Sequence, residues 1–253
     1  MAEPQPAPPA QDPDSEPPVV LITRVGSWIG AEAAVHFLKR GCIVIGVGSH
    51  PERITPLTSA LAKLPCSSAS RFIACVGPLT STDVQDEAIA HIKRHGRLTA
   101  FVHNVGAFEP RGAGDSQPIE QWEALQLALL ESLPMMHRVR ALLRRCKSRV
   151  VHVASDDESQ AGLPPHVALV AIKTAVNMLT AELALVEPTV TSLAVHPGVR
   201  LPFATHSSAH PPSTDQLRPA GQLIADLALN ADKSMSGQYF MYSEPDFLKP
   251  TQS

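Results

Sequence analysis

A three-layer α/β sandwich on a doubly wound parallel sheet is the fold class this chain predicts, and three observations predict it. From Val19 onward, short β-branched runs alternate with longer segments of helical period. The runs are apolar throughout rather than alternating, as in strands covered by helices on both faces. A chain of 253 residues can bury the core of one such domain and does not require a second.

Val19 to Thr23 is the first strand, and Ile29 to Arg40 has the period of the helix that follows it. Cys42 to Val47 and then Pro51 to Lys63 repeat the pattern, as do Arg71 to Cys75 and Thr82 to Arg94. Thr99 to His103 is the fourth strand and leads to a long helical segment, Ile119 to Arg145. Arg149 to Ala154 pairs with the helix Val167 to Val186, Thr191 to Val195 with Pro219 to Leu229, and Gln238 to Met241 ends a sheet of about seven strands. Met1 to Pro18 holds seven prolines and four acidic residues, so it reads as a disordered tail. Residues 19–245 form one domain, and 246–253 a C-terminal tail. Leu201 to Arg218 has no period and reads as a long loop of the kind used as a lid or left disordered.

Composition narrows the function. A net charge of −3 supplies no basic field for a phosphate backbone, which argues against a nucleic-acid partner. Apolar runs such as Cys42 to Val47 fall far short of the roughly 20 residues of a spanning helix, and no basic, apolar leader opens the chain, so the expected address is the cytosol. Cys42, Cys66, Cys75 and Cys146 have neither C-x-x-C nor metal-ligand spacing, so no disulfide framework and no zinc site are indicated, and Cys42 and Cys75 read as buried small hydrophobes. The cationic run Arg138, Arg140, Arg144, Arg145, Lys147, Arg149 reads as the solvated end of a helix. Asp156, Asp157 and Glu158 read as hydrated loop carboxylates, and Pro211 and Pro212 argue against a metal at His206 and His210.

Ligands of doubly wound sheets bind at the carboxyl ends of the strands. There the chain carries Thr23-Arg24-Val25-Gly26-Ser27-Trp28-Ile29-Gly30 after strand one and His103-Asn104-Val105-Gly106 after strand four. Ser155 follows strand five, Lys173 lies on the next helix, and His196-Pro197-Gly198 follows strand six. In order and spacing these pieces resemble the short-chain dehydrogenase/reductase family over about residues 19–245. Ala175-Val176-Asn177-Met178-Leu179-Thr180, Glu187-Pro188-Thr189-Val190-Thr191 and Met235-Ser236-Gly237-Gln238-Tyr239 look most like fungal reductases of the sepiapterin or benzil reductase type.

The resemblance implies a Rossmann-like NAD(P)-binding domain. It implies cofactor contacts at Thr23, Gly26, Ser27, Ile29, Gly30, Ser49, Arg53, Asn104, Gly106, Lys173, Pro197, Gly198 and Val199, with no metal. It also implies catalysis by a tyrosine one helical turn before Lys173, helped by Ser155 and a supporting asparagine. This sequence departs from that pattern. The tyrosine position is Leu169, the asparagine position is Leu129, and the only tyrosines are Tyr239 and Tyr242. Arg24 and Trp28 stand where the family has glycines, with Trp28 expected over the path of the pyrophosphate unless its ring folds away and Gly26 expected to lend flexibility beside Arg24. Pro202 replaces a threonine near the nicotinamide, and the corner Cys75-Val76-Gly77-Pro78 lacks the aspartate that contacts adenine. Gly48-Ser49-His50 with Arg53 favours a 2′-phosphate, so NADP(H), over free ribose hydroxyls.

Two readings follow. In the first, the protein has lost or strongly reduced reductase activity and keeps a binding or regulatory role. In the alternative it is an active NADP(H)-dependent reductase of a small ketone or diketone, with water, Ser155 or His166 as substitute proton donor. Resemblance further implies a homodimer or homotetramer through helices 119–145 and 167–186.

Overall fold

The computed structural model describes residues 16–62, 70–105, 133–153, 167–196, 198, 214–241 and 249–250. Strands β1 (Val19–Thr23), β2 (Ile43–Gly48), β3 (Phe72–Val76), β4 (Ala100–Asn104), β5 (Arg149–Val153), β6 (Thr191–His196), β7 (Tyr239–Met241) and β8 (Lys249–Pro250) form one sheet in the order β3-β2-β1-β4-β5-β6-β7-β8. The first seven are parallel and β8 is antiparallel to β7. Helices α1 (Trp28–Lys39), α2 (Pro51–Leu61), α3 (Thr82–Arg94), α4 (133–146), α5 (Val167–Val186) and α6 (Thr214–Asn230) cover its faces. This is the doubly wound, Rossmann-like sandwich expected from the sequence.

Strand periodicity accounts for the layers. Along β1, Val20 and Ile22 enter one core with α1 and α6, while Val19 and Leu21 enter the other with α3 and α4. Every β1 and β4 residue is therefore buried, and an uninterrupted apolar run is what such a position demands. Edge strand β3 is buried throughout only at Cys75. After β3 the chain returns to the other side of β1 to lay down β4, so the crevice at the carboxyl ends of β1 and β4 is the topological switch point.

Four expectations change. Glu16 to Pro18, expected in the tail, are fastened: the Pro18 carbonyl accepts from Ile43 N at 2.8 Å, and Arg97 pairs with the Glu16 carboxylate. Residues 214–218, expected in the loop, form the first turn of α6, because Leu217 is buried in the core and Asp215 pairs with Arg218 at 3.0 Å within that turn. Lys249–Pro250, expected in the tail, add the edge strand β8. The cationic run is solvated at Arg144, Arg145 and Lys147, as expected, but is also tied into the fold: Arg140 and Arg144 reach buried Glu187 at 2.5 and 3.8 Å, linking α4 to the end of α5, and Arg149 donates to the Ala231 carbonyl at 2.9 Å. Residues 119–132 of the expected long helix and 201–213 of the expected loop lie outside the described residues. No helix among the described residues is long and apolar enough to cross a membrane.

Candidate active site

The turn between β1 and α1 closes on itself and on β4. Ser27, extended at φ −74° and ψ 158°, caps α1, its hydroxyl accepting from Gly30 N at 3.0 Å. Ser27 N donates to the Arg24 carbonyl at 2.9 Å. Asn104, at the end of β4, donates from Nδ2 to Ser27 Oγ at 2.8 Å and to the Arg24 carbonyl at 3.4 Å, and from its backbone N to Thr23 Oγ1 at 3.0 Å. Thr23, Ser27, Gly30 and Asn104 are thus one hydrogen-bonded unit, nearly all of it shielded from water.

Arg24 adopts φ 51°, the left-handed conformation that glycine visits freely and other residues at a cost of roughly 1–2 kcal/mol. Gly26 has no such angle and does not lend the flexibility expected of it. Its role is close approach, because a Cβ there would lie 3.0 Å from Arg53 Cβ and 3.2 Å from the Arg53 carbonyl. Gly30 is tighter still, since a Cβ would lie 2.6 Å from the Arg24 carbonyl oxygen. Trp28 is half-buried and packs against the core that α1 shares with α6. Ile29 anchors the same helix turn in that core.

Contact between Gly26 and Arg53 joins the β1–α1 turn to the start of α2, where Arg53 N donates to the His50 carbonyl at 3.1 Å. Ser49 lies between β2 and α2 at that corner. Arg53 lies in the first turn of α2, beside the β1–α1 turn. The nearby pair His50 and Glu52 satisfy each other at 3.6 Å. On the far side, Gly198 follows β6 at φ 73° and its N donates to His196 Nδ1 at 3.0 Å.

Leu169 and Lys173 both lie on α5, one turn apart, as the sequence spacing requires. Ser155, Leu129, His166, Gly106, Pro197, Val199 and Pro202 lie outside the described residues. The structure therefore unites Thr23, Gly26, Ser27, Ile29, Gly30, Arg53 and Asn104.

One feature escaped sequence reasoning. His103 on β4 and His152 on β5 are register partners, both fully buried, with their Nδ1 atoms 2.9 Å apart and His152 Nε2 3.3 Å from Ser192 Oγ. One ring must donate and the other accept, so the two carry different tautomers. Burial, and then the neighbouring His103, hold the His152 pKa well below the usual imidazole value, so His152 stays uncharged near neutrality. The available signal was a histidine near the end of two successive apolar strands, but pairing them needs the register.

A parallel sheet with a capped, glycine-packed turn at its switch point is the arrangement with which doubly wound α/β proteins hold their ligands. A family model described as short chain dehydrogenase matches residues 18–210, and the chain belongs to that family. It is 26% identical over 242 residues to an uncharacterized oxidoreductase of Schizosaccharomyces pombe, covering 87% of this chain and 94% of the relative. An uncharacterized oxidoreductase of Saccharomyces cerevisiae is 25% identical over 258 residues, covering 91% and 98%. A crystal structure of a Caenorhabditis elegans short-chain dehydrogenase/reductase of unknown function, described with its cofactor, superimposes with a TM-score of 0.73 at 22% identity, covering 88% of this chain and 93% of that one.

Proposed function

We propose that this protein keeps the dinucleotide site of its family, in the NADP(H) form, while its reductase chemistry is lost or strongly reduced, leaving a binding or regulatory role. One observation carries the second half: the position one turn before Lys173 on α5 is Leu169, which has no proton to give. The hydrogen-bonded unit of Thr23, Ser27, Gly30 and Asn104 supports the first half. In this reading Thr23, Gly26, Ser27, Ile29 and Gly30 receive the pyrophosphate half of the cofactor, with Ser49 and Arg53 at the 2′-phosphate. Asn104, Gly106, Lys173, Pro197, Gly198 and Val199 border the nicotinamide half. The cofactor, when bound, supplies the hydride. What the chain itself must add is a proton to the carbonyl oxygen, and a positioned acid for that step is worth about 10² to 10⁴ in rate.

The preserved turn also favours a second reading, a working reductase of small ketones or diketones in which water, Ser155 or His166 donates the proton. Leu169→Tyr distinguishes the two. With NADPH bound, the first reading predicts a gain of about 10² or more in diketone reduction. Equal turnover by wild type and variant, at a rate ordinary for the family, would establish the second. Leu133, Met178 and Leu185 stand 45, 67 and 81% exposed on α4 and α5, which supports self-association through those helices; light scattering that gave a monomer would exclude it.

A further inference from the structure

Between β3 and α3, three side chains of different chemistry converge. Cys75 comes from β3, with its side chain in the core that β3 shares with α3. Glu87 and His91 come from α3, four residues apart and so on one face of the helix. Cys75 Sγ, a carboxylate oxygen of Glu87 and a ring nitrogen of His91 all lie within 4.8 Å of one another. His91 Nδ1 is shut off from water and has no hydrogen-bond partner. An imidazole nitrogen shut off from water without a partner is costly, and metal ligation through that nitrogen would remove the cost.

We propose that Cys75, Glu87 and His91 form a zinc(II) site, with the fourth tetrahedral position open to water at the exposed Glu87 rim. The donor set decides the metal. Thiolate excludes magnesium and calcium, and a mixed sulfur, nitrogen and oxygen set suits zinc. Ligand atoms on one tetrahedral zinc lie about 3.4 Å apart, given bond lengths of roughly 2.0–2.3 Å. Held within 4.8 Å of one another, the three atoms must draw closer to share one ion.

Charge agrees. One thiolate and one carboxylate neutralise the dication, whereas without a cation the carboxylate opposes ionisation of the thiol beside it. Burial and then Glu87 push the Cys75 thiol up to about 12, so zinc must displace a proton held more tightly than in an ordinary thiol, and its affinity should rise with pH. The consequence is structural, because the ion would rivet the edge strand β3 to α3.

The test uses the full chain, reduced with a phosphine and stripped with chelator, then titrated with zinc chloride against a chromophoric competitor. One zinc per chain should bind with micromolar or better affinity and raise the melting temperature by on the order of 5 °C. Cobalt(II) should give a thiolate-to-metal charge-transfer band that Cys75→Ser abolishes. Glu87→Gln and His91→Gln should each weaken zinc at least roughly tenfold, since even residues behind the ligands of zinc sites cost that much. Cys146→Ser, far along the chain on α4, should change nothing. Zinc binding weaker than about 100 μM, or unaltered binding in both Glu87→Gln and His91→Gln, overturns the site even if Cys75→Ser fails to fold.

Discussion

The β1–α1 turn and the Leu169–Lys173 turn of α5 have both lost residues of their family's pattern, with opposite consequences. In the first, Arg24 and Trp28 replace glycines, yet Arg24 takes the left-handed conformation that a glycine would take, and Trp28 packs onto the core. A site made of backbone survives a change of side chain at a cost of roughly 1–2 kcal/mol. In the second, the lost group was a side-chain hydroxyl, and no backbone conformation replaces it. On the reading proposed above, erosion is tolerated where function lies in the main chain and decisive where it lies in one acid.

That comparison can be broken at Gly30. A Cβ there would meet the Arg24 carbonyl oxygen at 2.6 Å, and the opposing atom is backbone that cannot rotate away. Gly30→Ala should cost about 3 kcal/mol and lower the melting temperature by roughly 10 °C. A loss below about 2 °C in a thermal melt would mean the turn is looser than its hydrogen bonds imply.

The buried histidines give the next effect. With the folded pKa of His152 below the ordinary value of about 6.5, the unfolded chain takes up the proton first as pH falls. The stability this site supports is fully present above pH about 6.5. It should decline below that by up to about 1.4 kcal/mol per pH unit until the folded pKa is reached. Urea midpoints measured from pH 7.5 to 5 should fall more steeply in wild type than in His152→Asn, and parallel curves would refute the assignment.

The smallest change sharpens the comparison most. Arg24→Gly relieves the left-handed strain and should stabilise by about 1 kcal/mol, or some 2–4 °C in a melt. NADPH affinity should be nearly unchanged, because the turn already has its shape. A large gain in affinity would mean that the arginine obstructs the site.

Much of this was legible in the residues. The parallel strands are apolar because both faces are covered, so β1, β2, β4, β5 and β6 could be read to within a residue or so. β8 could not, being two residues with a proline, and the start of α6 was hidden because Pro219 looks like a helix opening when the core contact of Leu217 is unknown. Candidate site residues contiguous in sequence, such as those from Thr23 to Gly30, were visible as a motif. The close approach of Gly26 to Arg53 was not visible, since only the fold brings the two together. His103 with His152, and Cys75 with Glu87 and His91, were illegible because each group joins separate elements whose register or facing no local pattern encodes.

The central claim is that the dinucleotide site outlived the proton donor, and titrating the wild-type protein with NADPH, by calorimetry or nicotinamide fluorescence, tests it most directly. Saturable one-to-one binding in the micromolar range is predicted, with NADH weaker if Arg53 meets the 2′-phosphate as proposed. No binding at millimolar NADPH would contradict it and show that the nucleotide site was lost along with the acid.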